Sequence, residues 1–152
     1  MRRRDHRVYL DTNVLIEAVE GRSELTEELT DVLLTFSGVP NRFVTSELTL
    51  AELLVKPMEL GRSDLLSVYE ELMRSDDLME TISIDRHVLR GAALLRSHDL
   101  SLKLTDAIHL ASAIRGKCTH LLSNDRRLRH QTMETVRLTN DGLAALRREL
   151  VV

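Results

Sequence analysis

Tryptophan is absent from this 152-residue chain, which holds only two tyrosines, two phenylalanines, two prolines and one cysteine. So few aromatic rings leave little from which to build a platform for stacked bases. Any nucleic-acid recognition would have to lean on backbone, shape and hydrogen bonds. A lone Cys118 excludes an internal disulfide framework and a cysteine zinc cluster, and it fits a reducing cytoplasm. Lysine occurs only at positions 56, 103 and 117, so the basic residues are overwhelmingly arginine, which can contact phosphate bidentately. The net charge of −3 is no global signature of a nucleic-acid partner, although a locally basic rim can surround an acidic pocket. Long hydrophobic runs are missing as well. The opening "MRRRDHRVYLD" has three apolar residues before Asp11, too few for a secretory segment, and no later run could span a bilayer. Equally missing are a glycine-rich phosphate loop, a serine elbow and a cysteine–histidine pair.

The expectation is therefore a cytoplasmic protein with no membrane segment. Its length suits one domain over residues 1–152, with residues 1–6, including Arg2, Arg3 and Arg4, as a flexible basic tail. Short strand-like runs, "RVYL", "RFVTS", "METISI", "HLLS" and "TVRL", alternate with segments of period near 3.6. One stripe is Leu25, Leu29, Val32, Leu33 and Phe36; a second is Leu65, Val68, Tyr69, Leu72 and Met73. Val88, Ala92 and Leu95 form a third, and Leu104, Ala107, Ile108, Ala111 and Ile114 a fourth. Two helical segments fall between the second and third strands, broken near Pro57 and Gly61. This alternation predicts an α/β fold, a short and mainly parallel sheet of four or five strands flanked by helices.

In such a sheet the C-terminal strand ends and the following helix N-termini share one ligand-binding edge. Asp11 ends the first strand, and Glu52 lies near the start of the helix after "RFVTS". Asp106 opens the "LTDAIHLASAI" helix, and Asp125 follows the fourth strand. Each has a modest alternative. Asp11 or Asn13 could cap a helix; Thr49 and Glu52 have capping-box spacing; Asp106 could complement a helix dipole; Asn124 and Asp125 could serve a turn. Together, four like charges at one edge repel by roughly 4 kcal/mol per close pair at 4 Å and an effective dielectric near 20. A hard divalent cation answers that repulsion, and it can activate water against a phosphodiester.

The blocks "VYLDTNVLIEAVEG", "VTSELTLAELL", "LKLTDAIHLASAI" and "HLLSNDRRLR" resemble, in that order, those of the PIN-domain family. The resemblance implies a PIN-like three-layer fold and a Mg²⁺- or Mn²⁺-dependent endoribonuclease with one or two ions per site. Asp11 and Asp106 would be the principal ligands, and Glu52 and Asp125 would complete the site directly or through water. In small PIN proteins it further implies a VapC-type toxin that is blocked by a cognate antitoxin and commonly forms a homodimer. Leu128 stands where the family often has an aromatic.

Asn13, Ser123 and Asn124 are candidates to orient the acids, and Arg126, Arg127 and Arg129 to hold RNA phosphates. Thr12 is assigned to the turn. His109, one helical turn after Asp106 with no second histidine at ligand spacing, reads as packed or supporting rather than as a zinc ligand. Three rival functions remain: a non-catalytic PIN-like scaffold binding RNA or protein, an aspartate-nucleophile phosphatase, and a housekeeping nuclease with no antitoxin. The second needs Asp-x-Asp in its first block, where this chain has Asn13.

Overall fold

In the computed structural model, residues 5–151 are described. The strands are β1 (Val8–Leu10), β2 (Phe43–Ser46), β3 (Glu80–Ile82), β4 (His120–Ser123) and β5 (Glu134–Arg137). The helices are α1 (Thr12–Glu20), α2 (Glu24–Phe36), α3 (Glu47–Glu59), α4 (Ser63–Arg74), α5 (Arg86–His98), α6 (Leu104–Arg115) and α7 (Asn140–Val151). All five expected strands are present, and every pairing is parallel, in the order β3-β2-β1-β4-β5. From β1 the chain runs outward through β2 to β3, then returns to the other side of β1 for β4 and β5. The connections therefore diverge above β1 and β4, which is where open α/β sheets form their crevice.

Successive residues of β1 face opposite layers. Val8 and Leu10 join the larger core with Leu29, Val32, Tyr69 and Leu146, while Tyr9 packs with Leu110, Leu121 and Leu128 beneath α6. Both faces of the sheet are thus covered at its centre, where β1 is wholly apolar and buried, whereas the edge strand β5 buries only Val136. Helices α5 and α6 pack along one another, with Ala92, Ala107 and Ala111 at their contact.

Helix α3 runs two residues past Pro57 and stops at Gly61, which has a φ of +63°. The N–H groups of Gly61 and Arg62 close on the carbonyls of Met58 and Pro57 at 3.3 and 2.8 Å, a Schellman termination that needs a left-handed residue. The helix starts at Glu47 after Ser46, so Thr49 and Glu52 form no capping box; the Thr49 hydroxyl instead bonds Thr45 at 2.8 Å.

Two helices go beyond the sequence reading. Helix α1 begins directly at Thr12, with Val14 and Leu15 buried and Ile16 39% exposed. Helix α7 was signalled by Leu143, Leu146 and Leu150, all buried, and by Thr139, whose hydroxyl accepts the Gly142 N–H at 3.0 Å. A Cβ at Gly142 would lie 2.0 Å from the Arg137 carbonyl oxygen, so this close turn admits only glycine. Of the expected tail, residues 1–4 lie outside the described residues. His6 is half-buried and meets the His120 ring edge-on at 5.2 Å.

Leu122 is fully buried in the middle of β4. Leu122→Ala should cost about 2–5 kcal/mol in urea unfolding, as large-to-small changes in packed cores do. Burial also pushes the Cys118 thiol up to about 12. At pH 8 the native chain should leave Cys118 unmodified by an aromatic disulfide reagent, while the urea-unfolded chain reacts with one equivalent.

Candidate active site

Asp11 follows β1 and caps α1. Its Oδ1 accepts the Thr12 N–H at 2.9 Å, and its Oδ2 accepts from the Asn13 amide at 2.9 Å and the Ser123 hydroxyl at 2.6 Å. The Ser123 hydroxyl oxygen in turn accepts the Asp125 N–H at 2.9 Å, and the Asn13 side-chain oxygen accepts the Asn124 N–H at 3.1 Å. These bonds lock the ends of β1 and β4 together. The capping reading of Asp11 therefore holds alongside its place at the crevice, because a carboxylate has enough lone pairs for both.

Asp106 lies in the first turn of α6. Its carboxylate makes no hydrogen bond among the described residues. Burial, then the charges of Asp125 and Asp11, raise its pKa above the ordinary aspartate value, so both aspartates are near enough for their charges to be felt at Asp106. Asp125 is also a turn residue: its Oδ1 accepts the Arg127 N–H at 2.9 Å and faces the guanidinium at 3.2 Å. The Arg127 side chain leads the causes that hold Asp125 below its usual range.

Glu52, in the second turn of α3, is tied to this group through His109. Its Oε1 lies 2.5 Å from His109 Nε2 and accepts the Thr12 hydroxyl at 2.9 Å. Burial opposes its ionisation, but His109 and Thr12 outweigh that and lower its pKa. An ionised carboxylate only accepts, so Nε2 carries the proton. On the other side of the ring, Nδ1 meets the Tyr9 hydroxyl at 2.6 Å, and Tyr9 reaches Ser46 at 3.1 Å. His109 is 2% exposed and lies 3.8 Å from Asp11 Oδ1, a supporting residue and not part of a histidine pair.

Among the described residues, no three of the four acids bring ligand atoms within 4.8 Å of one another. That spread does not suit a tight all-protein cage. It does suit a hard ion that keeps several waters and takes one or two carboxylates directly, as Mg²⁺ does. The donors are all oxygen, and the unbonded Asp106 carboxylate leaves negative charge in excess, so the residues present fit such an ion.

Beside Asp106 opens a cleft of about 870 Å³ whose rim includes Lys103, Arg126, Arg127, Arg129, His98 and His130. The three arginines expected from sequence all reach it, although Arg127 is engaged with Asp125. Lys103, His98 and His130 were not anticipated, since they sit in separate loops and at a helix end. The four tyrosine and phenylalanine rings are buried and none lines this cleft. Leu128 is 1% exposed and fills core space in the aromatic's stead.

No curated protein matches the chain significantly. Among solved structures it is similar to VapBC2 from Rickettsia felis bound to a DNA fragment from its promoter. That match has a TM-score of 0.68 and 16% identity, over 86% of this chain and 97% of the other. A toxin–antitoxin complex from Klebsiella pneumoniae gives 0.62 and 22%, over 87% and 98%. VapBC-5 from Mycobacterium tuberculosis gives 0.54 and 24%, over 85% and 96%. At these identities what is shared is the fold. The PIN domain family model matches residues 8–132, a span that contains β1, β4 and all four acids, and the chain belongs to the PIN domain family.

Proposed function

We propose that the chain is a Mg²⁺- or Mn²⁺-dependent endoribonuclease acting as the toxin of a VapBC-type pair. The observation that carries this reading is the Asp106 carboxylate. It has no hydrogen bond among the described residues, and burial with the nearby charges of Asp125 and Asp11 raises its pKa. Asp11 and Asp106 would hold the ion or ions, with Glu52 and Asp125 as further ligands, direct or through water. A divalent ion bound there supplies an activated water and charge stabilisation for the leaving oxygen of a phosphodiester.

The chain's own residues do the positioning. Asn13 and Ser123 aim the Asp11 carboxylate, and Asn124 holds Asn13. His109, steadied by Tyr9, keeps Glu52 ionised and pointed inward. Arg126 and Arg129, with Lys103, would take the phosphates of a single strand lying along the cleft beside Asp106. With no aromatic platform in that cleft, binding would depend on charge more than on base stacking.

An aspartate-nucleophile phosphatase fits less well: Asp11 Oδ2 already accepts two hydrogen bonds, and Asn13 stands where a general acid is needed. A non-catalytic scaffold would have no use for an Asp106 carboxylate left without a hydrogen bond near two other aspartates. Partner surfaces are also available. Val55, Met58, Leu60 and Val68 are exposed on and beside α3 and α4, a face suited to a cognate antitoxin or a second copy of the chain. The toxin–antitoxin assemblies among its structural neighbours support that part of the proposal.

Purified chain should cleave single-stranded RNA with Mg²⁺ or Mn²⁺ and stop on adding EDTA. Asp11→Asn should abolish cleavage and relieve growth arrest on expression in a bacterial host. Ser123→Ala should lower the rate by about 10–100-fold, the usual loss when a group orienting a metal ligand is removed. Equal cleavage by wild type and Asp11→Asn would sink the proposal. The Arg126→Ala/Arg129→Ala double variant should bind RNA more weakly. The slope of its log-affinity against log-salt should fall by about 0.7 per lost phosphate contact.

A further inference from the structure

The opposite edge of the sheet carries a second group of metal-binding side chains. His120 opens β4 with a side chain 3% exposed, and Glu134 opens β5 directly beside it in register. Helix α7 lays Leu143, Leu146 and Leu150 on the core, and this packing delivers Glu149 to the same point. His120 Nε2 lies 2.7 Å from Glu149 Oε2 and 3.0 Å from Glu134 Oε2, and all three ligand atoms fall within 4.8 Å of one another. We infer that His120, Glu134 and Glu149 form a binding site for one divalent transition cation of the zinc class, which staples α7 to β4 and β5.

Three observations carry this. The first is a shortage of hydrogen: Nε2 can present at most one N–H, yet two carboxylates converge on it. Among the described residues, neither glutamate has a lysine or arginine partner, so histidine is the only group that ion-pairs with them. A divalent ion with a neutral imidazole and two carboxylates is a neutral set. The second is orientation: His120 Nδ1 meets the Thr119 hydroxyl at 2.7 Å. That hydroxyl can accept an Nδ1–H, and a bond of this kind on the far nitrogen is the usual support of a ligating histidine. The third is size. Ligands 2.0–2.2 Å from a tetrahedral zinc ion lie about 3.3 Å apart, which these side chains reach by small rotations of two partly exposed glutamates that otherwise contact only one another. The imidazole donor favours Zn²⁺, Co²⁺ or Ni²⁺ over Mg²⁺. Water would complete the coordination. The site stands on the strand opposite the crevice, about 10 Å from Ser123 along β4, so its role is structural and independent of the nuclease reading.

The test uses untagged chain carrying Asp11→Asn and Asp106→Asn, so that the crevice contributes little to binding. Titration with Co²⁺ should give one equivalent with visible d–d absorption of a four- or five-coordinate ion, and Zn²⁺ should displace it and raise the Tm. Adding Glu134→Gln and Glu149→Gln should weaken binding by at least about 10-fold and remove the Tm increase, with circular dichroism unchanged. Glu134 is 62% exposed, so Glu134→Gln alone keeps the test readable should the double change unfold the chain. No stoichiometric Co²⁺ binding, or binding that is equally tight with and without the glutamates, overturns the site. The group is then an imidazole–carboxylate clamp only.

Discussion

One carboxylate is asked to satisfy two demands at the end of β1. Asp11 terminates the central strand, caps α1 through the Thr12 N–H, and ties itself to β4 through Ser123. These bonds hold together the two strands between which the connections diverge. They also fix a negative charge at the mouth of the crevice, where Asp106 and Asp125 add two more. The repulsion among such acids is worth several kcal/mol at short range. Peripheral groups offset part of it: Arg127 beside Asp125, and His109 between Glu52 and Asp11. Asp106 feels His109 and Arg127 only as nearby charges, without a hydrogen bond, and burial and the two aspartates outweigh them.

Behind the acids, the buried polar side chains are paired with one another. Tyr9, Ser46, His109, Glu52 and Thr12 form one chain of hydrogen bonds, and Thr45 and Thr49 continue it beneath α3. A network satisfied in this way makes α3, α6 and the sheet mutually rigid. It explains why α6, with most of its surface buried, carries a histidine at 109. The two ends of β4 then carry two different donor sets. Oxygen donors suited to a hard ion stand after Ser123, and an imidazole with two carboxylates stands at His120.

Much of this was legible along the chain. The five strands and the stripes of α2, α4, α5 and α6 follow from local periodicity, and the placing of Asp11 and Asp125 at strand ends follows from where the apolar runs stop. Helix α7 escaped notice although Leu143, Leu146 and Leu150 mark its face, because it follows closely on β5. The assignment of Thr12 to the turn missed its bond to Glu52, and Thr49 proved to be a buried hydrogen-bonding residue instead of a capping one. The basic rim was only half visible: Arg126, Arg127 and Arg129 are consecutive or nearly so, whereas His98 and Lys103 approach them from another loop.

By itself the sequence determined which segments become strands and helices, and it placed Asp11 and Glu52 near strand-to-helix junctions, Asp125 just past a strand end and Asp106 in the first turn of a helix. Those are short-range consequences of side-chain period and of where charge interrupts an apolar run. Only the tertiary structure decided the strand order, and with it which carboxylates meet and which glutamates flank His120. The physical reason is that parallel pairing joins residues far apart in the chain, as between Leu10 and Leu122. The choice of neighbour depends on how whole faces pack, which no local spacing encodes.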